Sequence, residues 1–445
     1  MKIKYCIFMV IFFIVFNACN FETNLDVENF QKKERAWTFL IYMAADNNLE
    51  SAAIRDFNEL EAAQFDRAKI SILVLLDRSP FYDNSNGDWS GTRLYEISYD
   101  PNGIDNIIRS KEIVFPLLDI GGGKQTNVNT ADPFVLEGTI DFVKQKYQAE
   151  NYGLIMWGHG TGWRSPAQNN YRSASNESLG TKAFAFDDTS QTYMSLSSFH
   201  KAIAGKGLKC IGFDTCFGAV LELAYEICDE TEWIIASPST VPFEGWDYKN
   251  LFNFFTKTDF SVESFSISIL EQFQLQYAQE NTAALSIIKT DKIAALKESF
   301  DSFAKKLATC IVDTEERHSC LGWILEEVLT YKDTSARTDV FVDIASFVEE
   351  GGKRYQDLMP QAEIVLLKLS EVLPLFYSTE KRDYGGLGVF FIGLENGIPN
   401  ASHPNDYVQG SDFGECSRFV KESDGWVPHK NGGDSLLDVL FYTTF

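Results

Sequence analysis

The chain is poor in positive charge. It carries 39 Lys and Arg against 63 Asp and Glu in 445 residues, a formal net charge of −24. Phosphate backbones are held by clustered cations, so this balance excludes a nucleic-acid partner and favours cationic ones. No CxxC pair occurs, and no Cys/His group has zinc-ligand spacing. No DxDxDG calcium loop is present either, so no metal ligand is assigned from motifs. Internal repeats and long linkers are also missing. What the chain has is apolar bulk. Hydrophobic residues make up 45% of it and Phe alone fills 36 positions, enough for a large packed interior.

The first 18 residues read as a signal peptide. Lys2 and Lys4 precede an apolar run over 7–16 that is too short for an ordinary spanning helix. Ala18 and Cys19 follow, similar to a bacterial lipobox, although Phe16 and Asn17 depart from the usual residues. The expectation is an exported cell-envelope lipoprotein, membrane-associated through a lipid on Cys19. Plain secretion and a retained anchor are the alternatives. Residues 19–36 read as a polar tether. Residues 37–255 form the expected core, and 256–445 a helix-rich region packed on it.

WTFLIYMAA (37–45) is apolar almost throughout, as a strand buried on both faces must be. Asp46 and Asn47 then supply turn and cap chemistry. The spacing over 49–64 predicts a helix and KISILVLLD (69–77) a second strand, a parallel β-α-β unit. Residues 92–100 and 111–121 read as short strands of an edge hairpin. Asp132 and Pro133 start a helix over 132–148. That helix leads into YGLIMWGHGTGW (152–163), a strand ending at Gly158-His159-Gly160. Strands over 182–188, 208–214 and 232–238 alternate with helices over 195–205 and 216–229. The fold class is therefore α/β, with a mainly parallel sheet and helices on its faces. Beyond 255 the periodicity is helical over 262–280, 291–311 and 355–372, with Pro360 near the start of the last. One late strand covers 384–393.

In an α/β sheet, chemistry collects outside the carboxyl ends of the strands. IGFDTCFGA (211–219) delivers Cys216 there, and the strand before it delivers His159. Cys216 is expected at a helix start, where free N–H groups and the helix dipole favour a thiolate. A nearby imidazole would activate it and protonate a leaving amine. Gly158 and Gly160 allow close approach of a substrate backbone and offer N–H groups to an oxyanion. The competing reading is a buried structural Cys and a loop His.

Five segments resemble the clostripain family of bacterial cysteine peptidases in order and spacing. They are WTFLIYMAADNNLE, MWGHGTGW, AFDDTS (185–190), FDTCFGA and SPSTVPFEGWDY (237–248). That family is related in fold to caspases, gingipains and legumain. The resemblance covers 37–248. It implies a three-layer α/β/α caspase-like sandwich, protein or peptide substrates, and no required cofactor, with calcium dependence left open because some relatives respond to it. It makes Cys216 the nucleophile and His159 the general base of a dyad. Asp214 and Glu244 match acids of the primary specificity pocket, which would select Arg or Lys before the cut. For Asp214 the competing role is a strand-end turn, and for Glu244 a solvated loop acid. Asp187 or Asp188 could orient the imidazole or serve the turn. Self-cleavage is expected between the His and Cys strands, with Arg172 and Lys182 as candidates. Thr215-Cys216-Phe217-Gly218, GTGW and Ser237-Pro238 depart from the family's usual residues. A non-catalytic surface binding or assembly lipoprotein is the rival function.

Overall fold

The computed structural model describes residues 35–163, 184–280, 283–331, 339–379, 385–392, 394–395, 398–399, 417–429 and 433–441. The signal peptide, Cys19, Arg172 and Lys182 lie outside the described residues.

The first apolar run forms β1 (Arg35–Ala45), an inner strand of a nine-stranded sheet. In sequence follow β2 (Ile70–Arg78), β3 (Gly91–Glu96), β4 (Lys111–Ile113) and β5 (Ala149–Trp157). Then come β6 (Phe184–Asp187), β7 (Thr192–Met194), β8 (Leu208–Asp214), β9 (Thr231–Ala236) and β10 (Ala284–Lys289). Next are β11 (Thr330–Tyr331), β12 (Asp339–Asp343), β13 (Leu375–Ser378) and β14 (Gly388–Ile392), followed by the short antiparallel pair Leu394–Glu395 and Ile398–Pro399. The sheet order is β13-β10-β9-β8-β5-β1-β2-β3-β4. The five strands from β9 to β2 are parallel, and both margins are antiparallel. Strands β6 and β7 pair separately as a hairpin.

Alternation along β1 shows why nearly every position is apolar. Leu40, Tyr42 and Ala44 enter one core while Phe39, Ile41 and Met43 enter the other. Successive strand side chains point to opposite faces, so a strand covered on both sides needs apolar residues at each. Helices Pro133–Lys146, Leu196–Ile203, Leu221–Ile227 and Ile293–Ala308 fill the first core. Helices Glu50–Ala62, Tyr248–Phe255 and Val262–Tyr277 fill the second. The result is the expected three-layer α/β/α sandwich. Asp132 caps its helix, accepting from the Phe134 N–H, with Pro133 in the first turn. Pro360 likewise sits in the first turn of helix Met359–Val372.

Three expectations need correction. The region after 255 is not merely helical, because β10 and β13 complete the central sheet. A division at 255 therefore cuts one sheet within the unit Glu34–Phe445. ALSIIK is a short apolar run between long helices, a length at which periodicity does not separate strand from helix. Residues 111–121 are a strand only to Ile113, since Pro116 opens a 3-10 turn. Finally, the helix after Cys216 begins at Leu221, not at the cysteine. The intervening backbone runs beside the end of β9. The Phe217 N–H donates to Ser239 O and the Ala219 N–H to Ser237 O, each at 2.9 Å.

Candidate active site

Three neighbouring parallel strands end at the same level. Trp157 on β5 pairs with Met43 on β1 and with Asp214 on β8. Two residues past Trp157 the chain reaches His159, and two past Asp214 it reaches Cys216. Beyond β1 it reaches Asn48. Sheet order thus sets Cys216, His159 and Asn48 on adjacent strand ends. The late appearance of the helix means that Cys216 does not sit on a helix N-terminus. A different donor serves its sulfur: the Val241 N–H points at Sγ from 3.3 Å. A donor to sulfur favours the thiolate.

Glycines let the two loops meet. Gly158 has φ of +134°, a region L side chains rarely enter. A Cβ on Gly160 would lie 2.6 Å from Thr215 Cβ and 2.8 Å from Cys216 O, so only glycine fits there. The Gly158 N–H, expected as an oxyanion donor, is already given to Asp214 O at 3.3 Å.

His159 is half-buried, and burial pushes its pKa down to about 4. The imidazole is neutral at pH 7 and can take a proton. Its Nε2 lies 2.7 Å from Asn48 Oδ1, and the Phe186 ring meets it edge-on at 5.9 Å. With Oδ1 as acceptor, the proton is held on Nε2 and Nδ1 is left as the base. Neither Asp187 nor Asp188 performs this role. Asp187 accepts from the Thr130 and Ser190 N–H groups, and Asp188 from the Tyr82 hydroxyl. Sequence reasoning passed over Asn48, although ADNN stands at the end of a buried strand. As a positioning residue, Asn48 gives a direct test. Asn48→Ala is expected to lower kcat about 10–100-fold with KM nearly unchanged. Asn48→Asp should restore part of the rate and move the acid limb of the pH profile upward, as a carboxylate favours the imidazolium. Equal kcat in Asn48→Ala and the parent would remove the residue from the site.

A cavity of about 220 Å³ opens beside the sulfur, lined by His159, Cys216, Asp214, Trp157, Val241 and Phe243 among others. Asp214 is buried, and burial raises its pKa to about 6. Its Oδ2 accepts from the Trp246 N–H at 3.1 Å and the Tyr248 hydroxyl at 2.9 Å. Its Oδ1 is sealed from solvent without a partner. Such an orphan is costly unless a donor reaches it. Glu244 is elsewhere: its side chain is exposed and does not line the cavity, although its carbonyl accepts from Arg55 at 2.7 Å. The second acid near Asp214 is Asp56, which is buried and receives the Trp157 indole N–H at 2.8 Å. The described cysteines Cys210, Cys216, Cys228, Cys310 and Cys320 are free thiols. Burial raises the thiol pKa of Cys210, Cys228, Cys310 and Cys320.

Residues 41–398 match the sequence model of the clostripain family. Clostripain from Hathewaya histolytica is 29% identical over 240 residues, which span 50% of this chain and 43% of that protein. The chain thus spans less than half the length of that curated relative. A secreted C11 cysteine protease from Bacteroides thetaiotaomicron, solved with an irreversible peptide inhibitor, superposes with a TM-score of 0.60 at 18% identity. That match covers 87% of this chain and 99% of that one. An inactive zymogen C11 protease from Parabacteroides distasonis also gives 0.60 at 18% identity, covering 86% of this chain and 98% of its own. These two establish the shared fold.

Proposed function

Because this chain belongs to the clostripain family, we propose that it is a cysteine endopeptidase cutting after Arg or Lys, with Cys216 as nucleophile and His159 as base. The observation that carries the reading is the cavity lined by Cys216, the neutral His159 and Asp214, whose buried Oδ1 has no hydrogen-bond partner. Its volume suits one long side chain rather than a large ligand. A guanidinium or ammonium entering it would give Asp214 the donor it lacks.

The chemistry follows. His159 takes the Cys216 thiol proton, helped by the Val241 N–H that stabilises the thiolate. The sulfur attacks the carbonyl carbon of the basic residue, forming a C–S bond and an oxyanion beside the Gly160 loop. The C–N bond breaks as His159 hands its proton to the leaving amine. Water then attacks the thioester, giving His159 a proton that returns to sulfur as the acid departs. The substrates are proteins or peptides. Export with a lipid anchor on Cys19, and self-processing at Arg172 or Lys182, belong to the same proposal. The secreted relative is in keeping with export, and no described helix is long and apolar enough to cross a membrane.

Hydrolysis of peptide reporters ending in Arg, Lys, Asp or Leu tests the reading. Residues 20–445 under reducing conditions should cleave the Arg and Lys reporters at least about 100-fold faster than the Leu reporter, the discrimination a buried, charge-paired site supports. Cleavage after Leu or Asp alone would keep the nucleophile and discard the role of Asp214. No cleavage and no alkylation of Cys216 would favour a binding module.

A further inference from the structure

The reaction described above fixes a direction across the strand ends. Apart from Leu49, the residues lining the Cys216 cavity end or follow β5, β8 and β9. The side chain before the cut enters there, on the Asp214 side of the sulfur. His159 protonates the amine that leaves, so the leaving half of the substrate runs on past the imidazole, away from the cavity. Sheet order shows what it meets. Trp157 on β5 pairs with Met43 on β1, and Met43 pairs with Leu76 on β2. Five residues past Met43 stands Asn48, bonded to His159. Five residues past Leu76 stands Phe81. Neighbouring strands lie about 4.8 Å apart, so β2 is about 10 Å from β5, the reach of about three extended residues.

The loop after β2 carries two aromatic rings into solvent. Phe81 is 73% exposed and Tyr82 48%, and their rings meet edge-on at 6.5 Å. Tyr82 is held in place. Its hydroxyl donates to Asp188 Oδ2 at 3.0 Å, and the Asp188 N–H donates to Asp46 O at 2.8 Å. Asp188 directly follows β6, whose Phe186 packs edge-on against His159. The aromatic pair is therefore tied to the hairpin that flanks the imidazole. A single exposed apolar residue needs no explanation, but two adjacent rings anchored beside a cleft make a contact surface. We propose that Phe81 and Tyr82 form a subsite on the leaving-group side of the cut, taking an apolar or aromatic side chain about three residues beyond it. A ring fixed in advance loses little freedom when a partner packs on it. The proposal deepens the peptidase reading and rests on it: Asp214 selects the residue before the cut, and the aromatic pair adds selection after it.

The test uses residues 20–445 and two internally quenched peptides. Both carry Arg before the cut, and they differ only in having Phe or Gly at the third position after it. The parent should cleave the Phe peptide with kcat/KM about tenfold above the Gly peptide, chiefly through KM, since contact with one apolar side chain supports about that factor. Phe81→Ala should bring the ratio to within about twofold of unity, and Phe81→Trp, which keeps an aromatic face, should retain most of it. A ratio near unity in the parent, or one unchanged in Phe81→Ala, overturns the subsite. An Arg reporter whose dye leaves directly has no residue beyond the cut, so its hydrolysis by the parent checks the peptidase reading alone. Hydrolysis of that reporter with no preference for Phe sinks the subsite and keeps the enzyme. Failure to cleave the reporter and both peptides removes the two together.

Discussion

Cys216→Ala is expected to lower kcat/KM on Arg and Lys reporters by about 10⁴-fold or more, a loss of about 5 kcal/mol in transition-state stabilisation. The size follows from the chemistry. Without sulfur no thioester forms, and what remains is binding in the cavity with no nucleophile. Folding should hardly notice. The substitution deletes one half-buried atom and leaves the Val241 N–H without its acceptor, a cost of about 1 kcal/mol. The variant should melt within a few degrees of the parent. A thiol-directed alkylating reagent at neutral pH supplies an independent readout. Among the described cysteines, Cys210 and Cys320 are buried, and burial raises the pKa of Cys228 and Cys310 too. Among the described cysteines, labelling should therefore fall mainly on Cys216, and the variant should lose that adduct. Activity within tenfold of the parent would remove Cys216 from the nucleophile's role.

The main lines of this site were legible in sequence because buried parallel strands are conspicuous. β1, β5 and β8 are near-continuous apolar runs, and each stops at a polar or small residue. The strand ends therefore mark His159 and Cys216 before any coordinates exist. Legibility failed where the deciding contact is made across elements. Asn48 looks like turn chemistry until β1 is set beside β5, and only then does its amide meet the imidazole. Glu244 matches a family acid by position, yet the backbone turns its side chain outward and Asp56 from helix Glu50–Ala62 comes nearer to Asp214. A Cβ on Gly245 would lie 2.9 Å from Asp214 and 3.2 Å from Asp56, which shows how closely the two acids approach. The helix expected at Cys216 was lost to the Ser237 and Ser239 carbonyls, which accept the Phe217 and Ala219 N–H groups, and to a turn in which Phe217 has φ of +57°. β10 and β13 were hidden by their brevity among long helices.

Asp214→Asn should cut the preference for Arg over Leu about 100–1,000-fold, mostly through KM. The variant keeps the shape of the cavity and the acceptor for Trp246 and Tyr248, and loses only the charge that meets the substrate cation. Truncating one partner of a desolvated ion pair costs about 2–5 kcal/mol, which sets that range. A pH profile separates this effect from damage to the Cys–His pair. Burial raises Asp214 to about 6 and lowers His159 to about 4. Below pH 6 Asp214 is neutral while His159 is still a free base. On the Arg reporter, kcat/KM should therefore fall about tenfold per unit below pH 6, with kcat at saturation holding further down. In Asp214→Asn the limb near 6 should vanish. Stability runs the other way for this carboxyl. Its pKa is higher folded than unfolded, so the native state binds the proton more tightly, and protonation between about pH 6 and 4 adds stability. Loss of activity on the acid side of 6 is then loss of the ionised pocket, not unfolding. A limb that stays near 6 in Asp214→Asn would move the assignment elsewhere. Glu59, held up to about 7 by burial and by Asp247, is the next carboxyl to replace.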